Sequence, residues 1–318
     1  MCTYNGGRFL PEQLRSISAQ KRPPDELVVC DDGSSDDTVS LLEEFSRKAT
    51  FPVRVIASSK NLGSTENFQK AISLCVGEVV ALADQDDVWY PQKLERIEQH
   101  LLQFDRCIAV FSEADLIDDN SRSVGMTLWK TVGFDKGEQR RFREGDAVRV
   151  MIRRPVVTGA TMAFRRKILD LLIPFPREVI HDRWMSLLLS TIGRIDLIPE
   201  ALMQYRRHSG QQVGVGPRSM RDRLRHARVR GEELYRSEIE FFSRVQAHLR
   251  LYPSNFPTTE SAVSEIARKL SHLELRLRLH RKEVSRVPNV FRELCNRGYW
   301  RYSAGWESVA KDLFLSTH

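Results

Sequence analysis

A mixed α/β fold is expected from three features of this 318-residue sequence. Through roughly the first 200 positions, short β-rich apolar runs alternate with segments whose apolar residues recur at helical spacing. The links between them are short, which favours an open, mostly parallel mixed sheet flanked by helices. The last third loses the strand pattern and turns helical and basic.

The expected strands are residues 27–30, 53–57, 79–83, 108–111, 156–164 and 194–198. Between them lie LPEQLRSISAQ, DDTVSLLEEFSRKA, STENFQKAISLC and PQKLERIEQHLLQF, whose apolar side chains fall on one helical face. Ser34, Ser35 and Asp36 supply N-cap residues ahead of the second helix. Residues 120–155 carry Arg140, Arg141, Arg143, Arg149, Arg153 and Arg154, and read as an irregular or helical excursion over part of the sheet's rim. The stretch HSGQQVGVGPRS, near residues 208–219, separates a sheet domain at 1–215 from a helical extension at 216–318. In that extension Tyr235, Ile239, Phe242, Val245 and Leu249 form one stripe. Ile266, Leu270, Leu273, Leu277, Val284 and Val287 form a second. No internal repeat is visible.

Composition narrows the classes. With 41% hydrophobic residues the chain can build a real core, and no run approaches the roughly 20 apolar residues of a membrane span. The first residues lack a signal-peptide layout, so a cytoplasmic location is expected. Cys2, Cys30, Cys75, Cys107 and Cys295 are scattered, which argues against a disulfide framework and a zinc site. Residues 1–215 hold 29 Lys+Arg and 30 Asp+Glu, whereas 216–318 hold 20 and 12. The basic excess therefore lies in the extension and suits an anionic surface. Nucleic acid is the weaker partner, because the basic residues accompany Leu stripes rather than stacking aromatics. In segments such as ARKLSHLELRLRLHRKEVSR, an apolar stripe beside an Arg-rich face fits peripheral contact with anionic lipid. The favoured alternative is a helix packed on the rest of the chain or on a second copy in a homo-oligomer, and the two can coexist.

Ligands of open α/β sheets bind beyond the carboxyl ends of the strands. Two acidic clusters sit there: Asp31-Asp32-Gly33-Ser34 after LVVC, and Asp84-Gln85-Asp86-Asp87 after VVALA. Carboxylates this close repel, and a divalent cation such as Mg²⁺ or Mn²⁺ relieves them. A turn capping the next helix would use the same residue types. Asp31 and Asp32 can accept from a pyrimidine imide and reach a ribose, or serve a strand-to-helix turn. Asp182, after His181, opens an apolar helix either as a cap or as a general base. In Tyr205-Arg206-Arg207-His208, Arg206 could bind phosphate and His208 a metal, with plain surface charge as the alternative.

Taken together, T-Y-N-G at residues 3–6, D-D-G-S at 31–34, N-L-G at 61–63, A-D-Q-D-D-V-W at 83–89, T-G-A-T-M-A-F at 158–164, H-D at 181–182 and Y-R-x-H at 205–208 resemble the family-2 glycosyltransferases of the GT-A fold. The resemblance covers roughly residues 1–215. A-D-Q-D-D-V-W and H-D-x-W look most like the bacterial rhamnosyltransferase-like branch, and RGYWRYSAGWESVAKDL is similar to C-termini found there.

The resemblance implies an inverting transfer from a nucleotide-diphosphate sugar, dTDP-L-rhamnose in this branch or a UDP-hexose otherwise, to a glycan or lipid-linked hydroxyl. By position it assigns Thr3, Asn5, Asp31 and Asp32 to the nucleotide, Asp84 to ribose or donor sugar, and Asp86 to the metal. Asp182 becomes the catalytic base, His208 a further metal ligand and Arg206 a donor contact. Gly159 and Ala160 become the donor–acceptor junction. It also implies a hydrophobic strand leading into Thr3, where this sequence has Met1 and Cys2, so a truncated first strand is expected, read first as a start placed too late and otherwise as a weakened or inactive copy. That leaves a non-catalytic nucleotide-sugar-binding protein as a rival. A sugar-phosphate nucleotidyltransferase would need a Gly-rich basic loop after the first strand, and CTYNGGRFLPEQL has one Arg.

Overall fold

Three parallel strands, β1 (Cys2–Thr3), β2 (Leu27–Asp31) and β3 (Val53–Ala57), lie side by side in that order. The computed structural model describes residues 1–208, 231–251 and 259–314. The helices α1 (Leu10–Ser18) and α2 (Thr38–Lys48) make the crossovers that a parallel ladder requires. Every residue of β2 is buried, which is why LVVC reads as an unbroken apolar run instead of an alternating one. The first strand consists of Cys2 and Thr3, in register with Cys30 and Asp31. Its ladder runs from the Met1 amine to Val28 O (2.8 Å), Cys30 N to Met1 O (3.0 Å) and Asp32 N to Thr3 O (2.9 Å).

A second, mixed sheet holds β4 (Val79–Ala81), β5 (Val88–Trp89), β6 (Cys107–Ile117), β7 (Ser123–Thr127), β8 (Met162–Arg165) and β9 (Arg194–Arg206). Its order is β4-β8-β6-β9-β5, with β7 on the side of β6. β6 and β9 run parallel, and the other pairs are antiparallel. Helices α3 (Ser64–Leu74) and α4 (Lys93–Gln103) pack beside the sheets. A cavity of about 280 Å³ opens between Leu27 and Val28 of β2 and Val79–Ala81 of β4.

Three expectations change. β6 and β9 continue well past residues 111 and 198, bending through register shifts that tolerate Glu113, Asp115 and the Pro199-Glu200 step. Of residues 156–164, only the end is strand. Gly159–Thr161 forms a 3-10 turn in which the Thr161 amide and hydroxyl both donate to Thr158 O, at 3.0 and 2.7 Å. The excursion at 120–155 resolves into β7 and three short helices, α5 (Leu128–Val132), α6 (Lys136–Arg143) and α7 (Ala147–Arg153).

The chain divides into two units, one of Met1–Gly145, Val156–Leu189 and Gly193–Gly216, the other of Asp146–Pro155, Ser190–Ile192 and Pro217–His318. The Gly/Pro stretch proposed as the boundary falls mostly outside the described residues. In the second unit α7 joins α9 (Gly231–Arg250), α10 (Thr259–His280), α11 (Arg286–Cys295), α12 (Gly298–Tyr302) and α13 (Trp306–Phe314); α8 (His181–Ile192) belongs mainly to the first.

Helix α10 is the interior of the second unit, which is the packed alternative for its Arg-rich sequence. Glu265, Lys269, His272 and Arg276 recur three and four residues apart and are all buried. Lys269 Nζ donates to Tyr302 O (2.6 Å), and Arg276 forks onto Asp312 at 2.7 and 2.9 Å. His272 bridges Glu293 (2.5 Å) and the Ser303 hydroxyl (2.8 Å). Buried charge survives only when paired in this way. The second stripe also ends early, because Val287 faces out. No helix among the described residues is long and apolar enough to cross a membrane.

Candidate functional site

The first acidic turn is drawn tight around its own carboxylates. Asp31, at the end of β2, accepts from the Thr3 hydroxyl (2.8 Å), the Gly33 and Ser34 amides (3.1 and 2.8 Å) and the Ser34 hydroxyl (2.6 Å). Asp32 takes the Leu62 and Gly63 amides, one on each oxygen, at 2.7 and 2.9 Å. This joins D-D-G-S to N-L-G and leaves each Asp32 oxygen one lone pair. Asn5, in the left-handed region at φ 47°, donates its amide to Ser34 Oγ and accepts from the Ser35 amide, both at 2.8 Å.

Gln85 ties that turn to the second cluster. Its side chain accepts from the Tyr4 amide (2.8 Å) and donates to Tyr4 O (3.1 Å), as a strand neighbour would. A Cβ at Gly6 would meet the end of this side chain and push it off Tyr4. Both acidic clusters therefore stand on one rim of the first unit.

Asp84, Asp86 and Asp87 offer oxygens that all lie within 4.8 Å of one another. Burial, and then the charges of Asp86 and Asp182, raise the Asp84 carboxyl to about 7. Burial also raises Asp87, helped by Asp86 and Asp84. Asp87 Oδ2 is buried without a hydrogen-bond partner among the described residues. A buried orphan oxygen in a knot of carboxylates is what a hard divalent cation would satisfy. His208 adds an imidazole, with Nε2 2.8 Å from Asp86 Oδ2. Three carboxylates and one imidazole fit Mg²⁺ or Mn²⁺.

Arg206 stands behind this cluster and not in front of it. Its guanidinium is buried, with Nε on Asp86 O (2.6 Å), Nη1 on Asp118 O and Ser121 Oγ (3.1 and 2.9 Å) and Nη2 on Glu12 (2.6 Å). Its amide also donates to Asp87 Oδ1 (3.0 Å). Four of the guanidinium's five hydrogens are engaged within the fold, so Arg206 acts here as an internal brace.

Lys93 was not foreseen. Its ammonium is fully buried, donates to Ala160 O (2.7 Å) and lies 4.1 Å from the Trp89 ring centre. Burial lowers it to about 7 against the pull of Asp87 and Asp84. It thus links the acidic cluster to the 3-10 turn at Gly159–Thr161. The signal available was a basic residue four positions beyond Trp89, on the first turn of α4.

That turn positions the third carboxylate. Asp182, on the first turn of α8, accepts from the Gly159 amide at 3.1 Å. His181 beside it stacks on Phe68 at 3.9 Å, and both its ring nitrogens are buried without partners among the described residues. Burial pushes its pKa down, toward the neutral imidazole. Gly159 and Ala160 are buried, and a Cβ on Gly159 would fall 3.0 Å from His181 Nε2. Thr3, Asn5, Asp31, Asp32, Asp84, Asp86, Gly159, Asp182, Arg206 and His208 all lie in the one unit.

Residues 1–172 match the model of a family described as glycosyl transferase family 2. An uncharacterized glycosyltransferase of Nostoc sp. is 28% identical over 214 residues, 64% of this chain and 62% of that protein. A dTDP-rhamnosyl transferase of Shigella flexneri, RfbG, is 33% identical over 99 residues, 30% of this chain and 34% of that protein. The chain spans less than two thirds of the length of the curated relatives it matches first. Staphylococcus aureus TarS 1–349 in complex with UDP-GlcNAc is similar in fold at a TM-score of 0.57 and 19% identity, covering 86% of this chain and 70% of that one. A mannosyltransferase of Pyrobaculum calidifontis, in complex with GDP-Man and Mn²⁺, gives 0.52 and 17% over 98% of this chain and 85% of that one. With the family match running over more than half its length, the chain belongs to glycosyl transferase family 2.

Proposed function

We propose that this protein moves a sugar from a nucleotide-diphosphate donor to a hydroxyl of a cell-surface glycan or lipid-linked acceptor, with inversion. One observation carries the reading. Asp182 is held by the Gly159 amide close enough to the acidic cluster for its charge to act on Asp84.

In this reading Thr3, Asn5, Asp31 and Asp32 shape the nucleotide pocket. Asp84 meets the ribose or donor sugar, and Asp86 and His208 hold the divalent cation. When bound, the cation supplies neutralising charge for the diphosphate. Asp182 takes the acceptor's hydroxyl proton as that oxygen forms its bond to the anomeric carbon. The bond to the diphosphate breaks on the opposite side and its electrons leave with the phosphate oxygen, which inverts the centre. Lys93 keeps the turn bearing Gly159 at its distance from the carboxylates, and the small residues there let a sugar ring approach the backbone.

For the donor we favour dTDP-L-rhamnose, supported by the branch-like motifs and the partial likeness to RfbG. A UDP-hexose is the second reading, supported by the UDP-GlcNAc in the TarS complex. We place the reaction in the cytoplasm, peripheral on the inner face of the membrane where a lipid-linked acceptor is available.

The test is nucleoside-diphosphate release from a panel of nucleotide sugars, with Mn²⁺ or Mg²⁺, then with EDTA, in the presence of a membrane extract as acceptor. Release from dTDP-rhamnose that EDTA abolishes supports the favoured donor. Release from a UDP-hexose instead replaces it. Binding of nucleotide sugars without release under any condition supports the non-catalytic rival.

A further inference from the structure

The second unit carries exposed aromatic and basic residues on three consecutive helices that the other described residues leave uncovered. Along α11, Val287 and Phe291 lie one turn apart and are 72% and 67% exposed. Along α13, Trp306 and Phe314 share a face with Ala310 at four-residue spacing and are 68% and 79% exposed. Trp300 of α12 meets Trp306 edge to face, ring centres 5.2 Å apart, and is 39% exposed. Both helices keep a separate inward face, through Val290 on α11 and Ser308, Val309 and Asp312 on α13. The outward apolar stripes are thus additional to what the unit's core needs.

Charge on this surface is one-sided. Arg292, Arg297 and Arg301 are exposed and enter no ion pair among the described residues. The nearby acids are already engaged: Glu293 with His272, Asp312 with Arg276, Glu307 with Lys311 and Glu283 with Arg281. Exposed Trp and Phe beside unpaired Arg is the composition of a helix lying in a lipid headgroup layer. Aromatic rings take the interfacial region, and guanidinium groups meet anionic headgroups.

We propose that the α11–α12–α13 face docks on an anionic lipid bilayer. This moves the membrane-facing element from α10, whose Lys269, His272 and Arg276 are internal, to the three helices that follow it. It deepens the proposed transfer to a lipid-linked acceptor, and it is tested with no sugar or nucleotide present, so the two readings fail separately.

The experiment adds the full chain to unilamellar vesicles of pure phosphatidylcholine or of phosphatidylcholine with phosphatidylglycerol. Flotation and intrinsic tryptophan fluorescence are then read. Trp89, Trp129 and Trp184 are buried, so a change reports Trp300 and Trp306. Anionic vesicles should float the protein, shift its emission to the blue and let brominated lipid quench it. The double variant Phe291→Ser with Trp306→Ser, both exposed positions, should keep its circular dichroism and lose roughly tenfold in vesicle binding. Arg292→Gln with Arg297→Gln and Arg301→Gln should remove the preference for anionic lipid. Failure of the folded wild-type chain to bind anionic vesicles at low salt overturns the proposal. So does a blue shift that needs no lipid and rises with protein concentration alongside a dimer in light scattering, because a second copy then covers the face.

Discussion

Asp182 Oδ2 and the Gly159 amide lie 3.1 Å apart, and this one hydrogen bond fixes where the first carboxylate of α8 points. A Cβ on Gly159 would fall 3.0 Å from His181 Nε2 and 3.1 Å from Asp182 Cβ. Gly159→Ala should therefore displace Asp182 without touching the nucleotide turn. Turnover should drop by about 10²-fold, as for a sub-ångström to one-ångström misplacement of a reacting group. Nucleoside-diphosphate affinity, measured by calorimetry, should stay within about twofold of wild type, since one methyl leaves the distant turn intact.

Acidity gives a second prediction. Asp84 is raised to about 7 by burial and by its acidic neighbours. A carboxyl whose folded pKa exceeds its unfolded value binds more protons when folded, so its stabilising effect is present at low pH and lost as pH rises. Cation-free protein in EDTA should lose melting temperature between about pH 4 and 7 on this account. Lys93, lowered to about 7, acts oppositely above that range, where the unfolded chain binds the extra proton and stability recovers. Thermal melts across pH should show the first slope flattened in Asp84→Asn.

Divalent cation should reverse that loss. Mn²⁺ binding only the folded chain adds about 2.7 kcal/mol at a hundredfold excess over its dissociation constant. Asp86→Ala, which removes an oxygen from the cluster and the partner of His208, should abolish the Mn²⁺-dependent rise in melting temperature. Calorimetric titration of Mn²⁺ into both proteins checks this without any turnover.

Arg206→Met should be costly to the fold. It keeps roughly the length of the side chain but takes the charged donor away from the Asp86 and Asp118 carbonyls, while Glu12 keeps the Ser121 hydroxyl. Leaving buried acceptors without their donor costs about 1–3 kcal/mol. Urea unfolding should show that loss, whereas a side chain that only touched donor would leave the midpoint unchanged.

The parts of this fold legible in the sequence are those where one local rule suffices. β2 and β3 are short apolar runs, and α1 to α4 show helical spacing, so their positions agree with the structure to within a few residues. β6 hid its second half because Glu113 and Asp115 look like a strand's end. In the fold Glu113 accepts from the Trp129 amide (2.8 Å) and Asp115 from the Tyr90 hydroxyl (2.7 Å). Residues 156–164 looked like strand because they are mostly apolar, yet the Gly159 amide belongs to Asp182. Charges misled most. Arg206, Arg276 and Lys93 read as surface or ligand-facing groups, or were passed over, because their partners come from distant segments: Glu12, Asp312 and Ala160. The acidic clusters were legible for the opposite reason, since crowding of like charge is written in consecutive residues.

The central claim is that Asp182 takes the acceptor proton in a nucleotide-sugar transfer. Its most direct measurement is the rate of nucleoside-diphosphate release by wild type and Asp182→Asn, at saturating donor and Mn²⁺ with acceptor present. Asp182→Asn should lose about 10²–10⁴-fold in turnover. Donor affinity should stay unchanged, because the amide side chain can still accept from Gly159. Turnover by Asp182→Asn within a few-fold of wild type would contradict it.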